Sequence, residues 1–123
     1  MQKFKFLNDR IHGVLDYGVV AIFALAPIAI GIEGPSAVLC YVLAAVHLVL
    51  TLLTDMPLGM KKIIPIQLHG TIELLVGLAL IIVPWVLSDL LRSGQLFFTL
   101  MGAIIFVVWV SSNYGDKKFA ALV

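Results

Sequence analysis

Residues 11–20 read IHGVLDYGVV, and 57 positions further on residues 68–77 read LHGTIELLVG. Each copy has an aliphatic residue, His-Gly, one free position, a second aliphatic residue and then a carboxylate. Setting His12 on His69 also sets Gly13 on Gly70, Asp16 on Glu73 and Pro27 on Pro84. Further out, PLGMKK (57–62) and NYGDKK (113–118) repeat more weakly, shifted by about one position. The chain therefore reads as two copies of one unit, each spending a histidine and an acid in an apolar setting.

That setting is a lipid one. Of 123 residues, 62% are hydrophobic and 12% charged, with a mean hydropathy of +1.12. Soluble domains carry roughly twice that share of charge, and a chain this short cannot bury so much apolar surface by itself. Four apolar runs follow, over residues 13–32, 37–53, 66–87 and 96–110. None alternates with a period of two, and a helix satisfies its backbone within the segment, so each is expected to be helical. The breaks fall at 33–36, 54–65 and 88–95, with Pro65 suited to the first turn of the third helix. The basic N-terminal arm before an apolar run has the outline of a signal peptide, but the run is long, contains Asp16 and has a repeat counterpart; it is read as a retained span.

With two spans per copy, both copies enter the membrane in the same sense. The expected fold is all-α: a four-helix transmembrane bundle, up-down-up-down, made of two parallel tandem helical-hairpin repeats with pseudo-twofold symmetry about the membrane normal. It forms one membrane domain, with repeat one at about 10–62 and repeat two at about 67–118. Lys3, Lys5, Arg10, Lys61, Lys62, Lys117 and Lys118 share one side and Arg92 stands alone on the other. The positive-inside rule then puts both termini in the cytoplasm of a cell whose inner membrane holds the protein. Trp85 and Tyr114 suit interfacial anchors, and Trp109 suits packing. A net charge of +1, with no basic cluster among aromatics, argues against nucleic acid as a partner. The partners expected are the bilayer and a second copy or another membrane protein. Cys40, the sole cysteine, reads as a small hydrophobe.

Two hairpin copies whose apolar helix ends in a proline-aromatic stop, as in IIVPWVLSD (81–89), resemble the SPW-repeat family of small bacterial and archaeal membrane proteins. The similarity covers most of the chain; Val83 stands where the motif has Ser, and the first copy reads Ala26-Pro27-Ile28. The resemblance implies a helical membrane fold and carries no catalytic residues with it.

His12, Asp16, His47, His69 and Glu73 are the candidate intramembrane site. Residues four apart share a helix face, so His12 pairs with Asp16 and, most simply, His69 with Glu73. Counting 1.5 Å per residue from Gly13 and Ile66 puts Asp16 about 5 Å and Glu73 about 10 Å along their helices, both in the cytoplasmic half. Ile104 takes the place of His47 in the second copy. Asp16 also suits a shallow helix-capping acid and His47 a packing residue, whereas an acid as deep as Glu73 needs a partner. The leading expectation is a non-catalytic accessory or self-associating bundle in which these pairs specify packing. The alternatives are proton or cation handling, a divalent metal on imidazoles and carboxylates, or haem on His12, His69 or His47, with Gly13 and Gly70 admitting either a ring or a close helix. No nucleophile stands beside a base in a recognised spacing and no phosphate loop occurs, so no enzymatic activity is expected; the serines sit at helix ends.

Overall fold

The computed structural model describes residues 8–112, so Lys3, Lys5, Tyr114, Lys117 and Lys118 lie outside the described residues. Within them the regular structure is helical: α1 (Asp9–Ile30), α2 (Gly34–Leu52), α3 (Ile66–Val86), the single turn α4 (Ser88–Leu91) and α5 (Gln95–Ser111). Thr54 and Ile64 form an isolated parallel bridge. α1, α2 and α3 are long and apolar enough to cross a membrane; α5, at 17 residues, is a shorter apolar helix. α4 falls where the sequence pattern suggested only a connecting loop.

α1 starts four residues earlier than the apolar run, because Asn8 caps it: its side chain accepts from the Ile11 N–H at 2.9 Å, and Asp9 in the first turn suits the positive end of the helix dipole. Gly31, at φ +71°, ends α1 in the left-handed conformation that glycine adopts without strain. Pro35 lies in the first turn of α2, and Pro65 precedes α3 as its N-cap residue. Pro27 and Pro84 both lie inside helices, and both are buried.

α1 packs along α2, and α3 along α5. Gly77 and Gly102 bring the latter pair very close, since a Cβ on Gly102 would stand 2.6 Å from the Gly77 carbonyl oxygen. Phe23, Cys40, Leu80 and Phe98, from all four long helices, share one core. At one end of the molecule Ile32 packs on Gly94, and the Glu33 N–H donates to the Ser93 hydroxyl at 2.9 Å. Outward, the side chains are oil: Ile28 is 83% exposed and Val86 73%. Inward, His12, Asp16, His69 and Glu73 are almost wholly buried. A buried cluster of ionisable groups beneath an apolar exterior is the reverse of a water-soluble domain's surface pattern.

Candidate functional site

α1 and α3 each place their histidine on the fourth residue and their acid on the eighth. The unequal depths expected from the apolar runs are therefore corrected: with α1 beginning at Asp9, both acids lie about 10 Å along their helices. They meet. His12 Nε2 is 3.1 Å from Asp16 Oδ2 and 3.2 Å from Glu73 Oε2. His69 Nε2 is 2.9 Å from Asp16 Oδ2 and 3.9 Å from Glu73 Oε2. The expected His12–Asp16 pair is present, but His69 does not have Glu73 as its main partner; of the three shortest contacts, His69–Asp16 and His12–Glu73 cross from one helix to the other. The arrangement is a single four-residue cluster rather than two separate couples. His47 joins it from α2, its Nε2 3.4 Å from Asp16 Oδ1.

The far nitrogen of each central ring is held by a hydroxyl. His12 Nδ1 lies 2.6 Å from Ser112 Oγ, and His69 Nδ1 lies 2.7 Å from Thr54 Oγ1. Each hydroxyl donates its one hydrogen to the carbonyl four residues back, Ser112 to Val108 and Thr54 to Leu50, both at 2.6 Å. It can then only accept from the imidazole. Both rings thus carry hydrogen on Nδ1 and aim Nε2 at the cluster. This tautomer-fixing shell is typical of metal-ligating histidines.

His69 Nε2 and Asp16 Oδ2 stand 2.9 Å apart at the centre of the cluster. One ligand atom from each of His12, Asp16, His69 and Glu73 lies within 4.8 Å of the other three. A tetrahedron with arms of about 2.1 Å has edges of about 3.4 Å, in the middle of the four imidazole–carboxylate separations. Two carboxylates with two neutral imidazoles also balance a dication, which low dielectric demands.

Other expectations for these residues change. Gly13 makes room for Leu58, whose side chain would lie 3.1 Å from a Cβ there, rather than for a flat ring. The His12 and His69 rings are 5.3 Å apart at 72°, too close for a porphyrin iron between them, since two axial iron–nitrogen bonds of about 2 Å plus the rings themselves need more. Ile104 is half-exposed; it is Ile105 that shares a cavity with His47. Trp85 keeps its ring half-exposed while its indole N–H donates to Thr99 at 2.7 Å, and Trp109 is buried.

Thr54 and Ser112 were not singled out as site residues. Ser112, His12 and the acids contain the members of a nucleophilic triad, yet that hydroxyl is 1% exposed and its proton is directed at Val108. Extending the repeat offset past the helices would have flagged the pair, since Thr54 falls on Ser111, one residue short of Ser112. No family model matches the chain, and no curated protein or solved structure matches it either.

Proposed function

We propose that the protein is a multi-pass inner-membrane four-helix bundle that binds one divalent transition-metal ion on His12, Asp16, His69 and Glu73. α1, α2, α3 and α5 are the spans, up-down-up-down, the two hairpins are related by a pseudo-twofold axis, and both termini are cytoplasmic. The bilayer is its solvent, and its apolar faces serve association with a second copy or another membrane protein. The role is non-catalytic: the ion ties the hairpins together where helix packing alone, without a hydrophobic drive in lipid, is weak.

The observation that carries the metal reading is the convergence of four buried donors of this chemistry within 4.8 Å. A mixed imidazole–carboxylate set suits Zn²⁺, Fe²⁺ or Mn²⁺. Protein purified in detergent and loaded with each ion in turn is expected to retain about one ion per chain, counted by elemental analysis. Glu73→Gln and His69→Ala are expected to lose it while keeping the helical circular dichroism of the parent. A wild-type protein that keeps none of the three ions overturns the reading.

One observation favours a second reading. The 2.9 Å and 3.1 Å contacts of Asp16 with His69 and His12 also suit two protonated imidazoles facing two carboxylates, a neutral set that holds protons and specifies packing. That reading predicts a metal-free protein destabilised by Asp16→Asn.

A further inference from the structure

The cluster is closed behind both central rings and has a cavity beside one acid. Ser112, behind His12, and Thr54, behind His69, are buried. Beside Glu73, between α2 and α3, lies the cavity of about 30 Å³, lined by His47, Leu50, Ile72 and Ile105, with exposed Val46 on its outer rim. That volume exceeds the roughly 10–15 Å³ that one water needs. Its side chains offer two polar groups, His47 and Glu73; the rest are aliphatic. His47 is the least buried of the five site residues, at 11% exposure, and lies outside the set of four mutually close donors. Across the cavity, α5 supplies Ile105, so of α2 and its repeat counterpart α5 only α2 furnishes a polar group there.

We infer that this cavity is a binding site for a small neutral ligand, of water or diatomic size, which reaches the metal between α2 and α3 from within the membrane and hydrogen-bonds to His47. The inference rests on the metal reading and adds an open coordination position to it. Four protein donors complete a tetrahedral ion, but a ferrous or manganous ion takes up to six ligands, so a position remains for a further one. Charge decides the class of ligand. A dication with two carboxylates and neutral imidazoles is already neutral, so an anion would bring a buried net charge and a neutral molecule would not. Aliphatic walls likewise admit an uncharged diatomic gas that partitions into lipid.

Nitric oxide added to the anaerobic Fe²⁺-loaded protein tests this, since it binds an open ferrous position without any other reactant. The wild type is expected to give the half-integer electron paramagnetic resonance signal of a ferrous nitrosyl. Ile72→Phe, which fills the cavity and replaces no ligand, is expected to keep its iron and lose the signal. His47→Leu is expected to keep both iron and signal and to release nitric oxide about tenfold faster, the worth of one hydrogen bond. An iron-loaded wild type that gives no nitrosyl signal overturns the inference and leaves the metal site standing. An equal signal in Ile72→Phe overturns the route. A protein that takes up no iron, zinc or manganese removes the site and the inference together.

Discussion

Thr54 and Ser112 lie outside the recurring His-Gly motif, yet each orients one of its rings. Each hydroxyl has one hydrogen, directed at a helix carbonyl, so each forces the imidazole beside it into the Nδ1–H form. Removing a partner of this kind lowers metal affinity by about 10- to 100-fold while leaving the ligands in place. Thr54→Val and Ser112→Ala are therefore each expected to weaken the proposed site by that factor, measured by competition with a coloured chelator, with unchanged helix content. The five charged or imidazole side chains were legible because such groups stand out inside apolar helices. The two hydroxyls were not, since serine and threonine at helix ends ordinarily serve as caps or back-bond to the preceding turn.

Where the helices approach closely, the limiting atoms belong to the backbone. A Cβ on Gly102 would meet the Gly77 carbonyl oxygen and the Ile81 backbone nitrogen, at 2.6 and 3.0 Å. These belong to α3 and cannot rotate away, so Gly102→Ala is expected to cost about 1–3 kcal/mol through overpacking. Gly18, with nothing within 4 Å of its would-be Cβ, is the control: Gly18→Ala is expected to be neutral or slightly stabilising. Unfolding by a denaturing detergent titrated into mild micelles measures both. Element boundaries show the same division. Length and hydropathy located the four long helices, but the start of α1 depends on the Asn8 cap. The apolar run began later, and counting from it misjudged the depth of Asp16 by one turn.

Across the whole molecule the four residues of the proposed centre come from helix starts far apart in the chain, and the ends of α2 and α5 supply the hydroxyls behind them. Those four helix ends thus meet at one end of the molecule, and the turns carrying Glu33 and Ser93 meet each other. If the bundle spans the bilayer as proposed, Lys61→Cys and Arg92→Cys react with an impermeant maleimide from opposite sides of sealed vesicles. Cys40, with no exposed surface, stays silent. Labelling of both from one side sinks the topology. By itself the sequence determined an apolar helical chain and the polar residues that stand out within it, because hydropathy, helix spacing and the rarity of charge in apolar runs are local properties that need no contact map. Tertiary structure alone decided that Asp16 sits nearest to His69, that His12 reaches Glu73, and that Ser112 lies behind His12 from 100 residues away. Those pairings depend on the rotation and crossing of helices about one another, which side-chain packing sets and no spacing along a single helix encodes.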